Sequence, residues 1–105
     1  MVRTDPVRCQ LRRGSLILTE DCYRNLLLGT EGVVLLRKER DFLVLPVRHA
    51  AAGGYVIKML NASGDRIVSA QDFFRAQGID DDAVLEITME WSEEHHALIA
   101  EELFN

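Results

Sequence analysis

Five arginines are the residues of this chain best suited to chemistry at a surface. Arg3, Arg8, Arg12 and Arg13 crowd the N-terminus, and Arg66 follows a glycine turn in the second half. Planar, permanently charged guanidinium groups recognise phosphate and carboxylate oxygens. This set is where a polyanion would feel attraction. Charge guarding an edge strand is the plainer explanation of the same residues.

The remaining reactive types do not assemble into a site. His95 and His96 are adjacent, so on a helix they would point about 100° apart. Glu93 and His96 could share a face, but no second pair completes a metal set. His49 has no partner in sequence. The acids of "GIDDDAV" and "EWSEEHH" read as solvated faces, because a catalytic carboxyl pair needs one member desolvated. Cys9 and Cys22 lack CxxC spacing and a neighbouring His, and they read as reduced, packed thiols. No phosphate-binding glycine loop, serine-nucleophile motif or HExxH is present. The sequence therefore assigns no catalytic residue, no metal ligand and no cofactor, and the expected protein is not an enzyme.

One motif occurs twice. "DCYR" begins at Asp21 and "DFFR" at Asp72, 51 residues later. In each, Asp and Arg stand three apart, side by side on a helix, where an exposed pair contributes only about 0.2–0.5 kcal/mol. A brace for a short helix explains that better than a binding site. At the same offset Leu16-Ile17 meets Ile67-Val68, Leu28 meets Ile79, and Val33-Val34 meets Val84-Leu85. Internal repetition of this kind points to duplicated architecture.

The elements that would position these residues follow from periodicity. "VRCQLR" alternates as a strand, Gly14 turns the chain, and "SLILT" is a second strand. Residues 20–28 carry a short helical stripe of Tyr23, Leu26 and Leu27, with Thr19 as N-cap and Gly29 as stop. "GVVLLR" and "DFLVLPVR" form a hairpin about "KER", with Pro46 marking an edge or an end. "HAAAGG", residues 49–54, reads as a linker. Beyond it come a strand over 55–61, the strand "RIVSA", a short helix ended by Gly78, the strand "AVLEITME", and a helix over 92–104. Ser92 would cap that last helix and Leu98, Ile99 and Leu103 would line its buried stripe.

The bulk numbers bound the rest. The chain has 105 residues, 48% of them hydrophobic, enough for one domain with a modest core. Its net charge of −5 is uneven: residues 1–50 hold nine Lys/Arg against six Asp/Glu, and residues 51–105 hold three against eleven. "MVRTDPVRCQLRRGS" has no apolar h-region, and no apolar run approaches the ~20 residues of a membrane span. A cytoplasmic protein without membrane contact is expected.

Two stretches carry a family resemblance. "GDRIVSAQDFFRAQGIDDDAVLEITME" (64–90) and "RGSLILTEDCYRNLLLGTEGVVLL" (13–36) each resemble a unit of the AbrB/MazE/MraZ-like swapped-hairpin family: glycine turn with Arg, strand, short helix ending near Gly, strand. Two such units in one chain look most like the MraZ branch. The family's Pro at the helix entrance is replaced by Glu20 in one half and by Ala70 or Gln71 in the other. Asn61 stands where an acid is usual. The resemblance implies DNA contact near the glycine turns, with Arg13 and Arg66 as the closest matches. Gly14-Ser15 is also similar to the self-cleavage step of pyruvoyl-dependent decarboxylases on double-psi barrels, although the order of elements around it differs.

The expectation is thus an α+β, mostly β protein of a single domain, 1–105. It would be a pseudo-twofold interleaved β-barrel of two strand-strand-short helix-strand repeats (7–48 and 55–105), plus a C-terminal helix. Its expected role is a DNA-binding transcriptional regulator acting as a homo-oligomer on duplex DNA through Arg3, Arg8, Arg12, Arg13 and Arg66. The alternative is an interaction module that has lost DNA binding and uses its acidic half on a basic protein partner.

Overall fold

The two-residue turn Arg13–Gly14 sets the first hairpin. Both residues have positive φ, 51° and 80°, the mirror-image turn whose twist matches that of paired strands. It joins β1 (Val7–Arg12) to β2 (Ser15–Leu18), with Arg12 opposite Ser15 and Cys9 opposite Leu18. The computed structural model describes residues 6–49 and 53–104. Arg3 and the middle of the expected linker, residues 50–52, lie outside them.

Thr19 caps α1 (Glu20–Cys22), its hydroxyl accepting from the Cys22 N–H at 3.1 Å. The helix continues as one wider π-type turn over Tyr23–Leu27. A second hairpin follows, β3 (Gly32–Lys38) and β4 (Asp41–Val47), turning at Glu39, which has φ 58°. Next come β5 (Tyr55–Val56), β6 (Lys58–Met59), β7 (Arg66–Ser69), α2 (Gln71–Ala76), β8 (Val84–Ser92) and β9 (Ala97–Ala100).

The strands form one antiparallel sheet in the order β5-β3-β4-β9-β8-β1-β2-β7-β6. Its two ends, β5 and β6, are consecutive in the chain with only Ile57 between them. One bent stretch, 55–59, thus pairs with β3 on one side and β7 on the other, and the sheet becomes a nearly closed barrel. The Ile57 N–H donates to the Glu31 carbonyl at the bend, 3.0 Å. Near-closure covers the open edges that a nine-stranded sheet would otherwise expose.

Inside lie Leu11, Leu16, Leu18, Val33, Val44, Val68, Met89 and Leu98, all fully buried. The helices plug the barrel with Leu27 and Phe74. Phe42 packs edge-on against Phe74 and Phe104, with centroids 5.4 and 5.8 Å apart. Every buried residue among those described is apolar or Cys. Pro46 sits beyond Val44, where the ladder from β4 to β9 stops, so its missing N–H costs no pairing.

The expected C-terminal helix over 92–104 is not formed. β8 runs to Ser92, residues 93–96 turn, and β9 returns between β8 and β4. The capping signal is real: Ser92 Oγ accepts from the His95 N–H at 3.2 Å. His96 then adopts φ 49° and ends the turn. Ala97, Leu98 and Ala100 bury themselves against β4, a gain that a surface helix would not offer. The strand expected over 55–61 is the bent pair β5 and β6.

The offset of 51 also stops short. Val33 is buried, but Val84 is 55% exposed. The segment from α2 to β8 is longer than that from the first helix to β3, so the inward residues Val33 and Leu35 correspond in burial to Ile87 and Met89, 54 positions on.

Candidate nucleic-acid interface and acidic groove

β1 alternates cleanly. Cys9 and Leu11 point into the barrel, and Arg8, Gln10 and Arg12 point out. On the outer face Arg8 lies opposite Thr88, Gln10 opposite Glu86 and Arg12 opposite Val84. Arg13 extends the row at the turn, its N–H bonded to the Ala83 carbonyl at 3.1 Å. Arg12, Arg13 and Val84 line a shallow recess of about 390 Å³. Among the described residues Arg8, Arg12 and Arg13 take part in no ion pair.

Most of the other described arginines are occupied; Arg48, exposed beyond β4, takes part in no ion pair. Arg24 bridges Glu20 and Asp21 at 3.2 and 3.0 Å, Arg40 meets Glu102 at 2.8 Å, and Arg37 lies over the Phe104 ring. Arg75 grips both carboxylate oxygens of Asp81, at 2.9 and 3.0 Å. That fork holds the Asp81 carboxyl below the usual carboxylate range.

Arg66 is not brought together with the β1 arginines. It pairs with Leu18, at the end of β2 away from the Arg13 turn, about 10 Å along the strand from Ser15. Its alternation phase is that of buried Val68, so its side chain leaves through the barrel mouth. There the guanidinium stacks on Tyr23, 4.1 Å from the ring centroid, and donates to the Gly64 carbonyl at 3.0 Å.

The two repeated motifs serve different contacts. In the first copy Asp21 and Arg24 hold each other. In the second, Asp72 lies 3.1 Å from the Tyr55 hydroxyl and Arg75 has left it for Asp81. Burial first, then the bond to Asp72, raises the Tyr55 pKa above the usual phenol value.

A second feature was not legible in the sequence. A groove of about 620 Å³ opens on the outer face of β8 and β9, lined by carboxylates of Asp41, Glu90, Glu94 and Glu101 with half-buried Trp91 and His95. His95 Nδ1 sits 3.1 Å from Ser92 Oγ. Glu90, Glu94 and Glu101 form no ion pair among the described residues. The pairing of β4 with β9 and β9 with β8 gathers acids that are 60 positions apart in the chain.

Cys9 and Cys22 are both buried and unbridged. Contact with Cys22 and burial push the Cys9 thiol up. Among the described residues no group of three or more His, Cys, Asp or Glu is placed to hold a metal ion, and no helix is long and apolar enough to cross a membrane. Comparison with protein families, curated proteins and solved structures found no match.

Proposed function

We propose that the chain is a tandem of two diverged swapped-hairpin units of the AbrB/MazE/MraZ kind, and that it binds duplex DNA as a regulator through Arg8, Arg12 and Arg13. Support for the tandem comes from the pairing pattern. Hairpin β1–β2 corresponds to β6–β7 and hairpin β3–β4 to β8–β9. Four ladders join the halves, and two of them, β2–β7 and β4–β9, each pair an element with its own counterpart, the others being β1–β8 and β3–β5. Each glycine turn also packs on the helix start of the other half, Gly14 on Gln71 and Gly64 on Glu20, where Glu20 and Gln71 are 51 positions apart. Such a chain is two interleaved halves about a pseudo-twofold axis.

One observation carries the ligand: three arginines without ion pairs project together from the outer face of β1 and its turn, while Arg24, Arg37, Arg40, Arg66 and Arg75 have partners and Arg48, also without an ion pair, stands alone beyond β4. Unpaired guanidinium groups on a solvent-facing strand are free to replace phosphate counterions. Anisotropy of a labelled duplex tests this. Binding should weaken with salt at a slope of about −0.9 per phosphate neutralised. Arg12→Ala with Arg13→Ala should flatten that slope by roughly two and weaken all sequences alike. Arg66→Ala should spare binding. Absence of binding at low salt would sink the DNA reading.

A second reading, an interaction module for a basic protein partner, is favoured by the acidic groove, where the exposed carboxylates of Glu90, Glu94 and Glu101 take part in no ion pair among the described residues and Asp41 Oδ1 accepts the Glu102 N–H at 2.9 Å.

A further inference from the structure

The acidic groove and the arginine row share one outer face of the sheet. Thr88, which lines the groove, stands opposite Arg8 on the adjoining strand. Unpaired negative charge on β8 and β9 therefore borders unpaired positive charge on β1. A face divided in this way is complementary to itself. A two-fold rotation about an axis through the boundary lays each half over the half of opposite sign on the other copy, and the contact closes at two molecules.

We propose that the basic partner of the groove is a second copy of this chain, with Arg8 and Arg12 of each copy seated among Asp41, Glu90, Glu94 and Glu101 of the other. This rests on the second reading above and names its partner. Charge complementarity selects that occupant, because the chain itself carries the cations the groove lacks. Its net charge of −5 opposes indiscriminate association of copies. Contact is favoured only in the one orientation that brings opposite charges together. The same arginines serve duplex DNA, so the paired form has its DNA-facing row covered, and DNA and the second copy compete.

Sedimentation of the full chain without DNA, over a range of concentrations, tests the pairing. The expected result is a monomer–dimer equilibrium. Glu90→Lys with Glu94→Lys should abolish it, and so should Arg8→Glu with Arg12→Glu, because each reversal sets like charges against each other where opposite charges would meet. Mixed in equal amounts, the two reversed chains should form a hetero-pair. Trp91, the single tryptophan of the sequence, lines the groove and should change its emission on mixing. If either reversed chain fails to fold by circular dichroism, Glu90→Gln with Glu94→Gln and Arg8→Gln with Arg12→Gln should each weaken pairing on the order of tenfold.

A protein monomeric at every concentration overturns the proposal. So does a dimer untouched by both reversals, or folded reversed chains that do not pair with each other. Assembly is read without DNA, so a negative anisotropy result leaves it standing, and a negative sedimentation result leaves the DNA test open.

Discussion

Gly14 answers two demands at once. Its φ is 80°, in the left-handed region, and a Cβ built on it would stand 2.7 Å from the Cα of Gln71. Gly64, at φ 94°, would meet Glu20 Cγ at 2.7 Å, a side chain that can swing away. Gly29, at φ 86°, would meet nothing. Alanine at Gly29 bears the left-handed cost alone, about 1–2 kcal/mol. At Gly14 it adds overpacking against main chain, roughly 1–3 kcal/mol more. Urea unfolding should therefore rank the losses Gly14→Ala, then Gly64→Ala, then Gly29→Ala. Equal losses would mean that the approach to Gln71 is not felt. At this scale the turns were readable in the sequence because glycine advertises them. The fate of Arg66 was not, because its neighbours Leu18 and Tyr23 reach it only through pairing.

Among elements, the bent stretch 55–59 decides whether the sheet is a barrel or an open ribbon. Its pairing is short: two residues against β3 and two against β7. The Ile57 N–H at the bend holds the Glu31 carbonyl at 3.0 Å. Ile57→Pro deletes that donor and should cost roughly 1–3 kcal/mol. Amide exchange should then quicken in both β3 and β7, since one clasp protects both edges. Faster exchange in β3 alone would show that β6 holds without β5. The sequence showed this stretch as one strand by alternation of Tyr55, Ile57 and Met59. A bend between two short pairings has no local signature, and only the positions of β3 and β7 impose it.

The whole molecule has one core shared by both halves. Phe42 of the first half packs against Phe74 and Phe104 of the second, and Leu16 pairs with Val68 across the β2–β7 ladder. Neither half can cover its apolar face alone. A fragment of residues 1–49 should be unfolded by circular dichroism, and mixing it with 53–105 should restore strand signal. A folded isolated fragment would contradict the single shared core. The acidic groove belongs to this scale too, because Asp41, Glu90 and Glu101 meet only after β9 is placed between β4 and β8.

The local pieces were legible without any structure: the β1–β2 and β3–β4 hairpins, the short helices begun at Glu20 and Gln71, the buried cysteines and the outward arginines of β1. Each follows from alternation, a cap or a glycine within a few residues. The tertiary structure alone decided what residues 92–104 become. Ser92 makes the same bond to the His95 N–H whether it caps a helix or tightens a hairpin. The choice fell to the strand because β4 offered an unpaired edge and a cover for Ala97, Leu98 and Ala100. That choice moved Glu101 beside Asp41 and Glu90, and so made the groove.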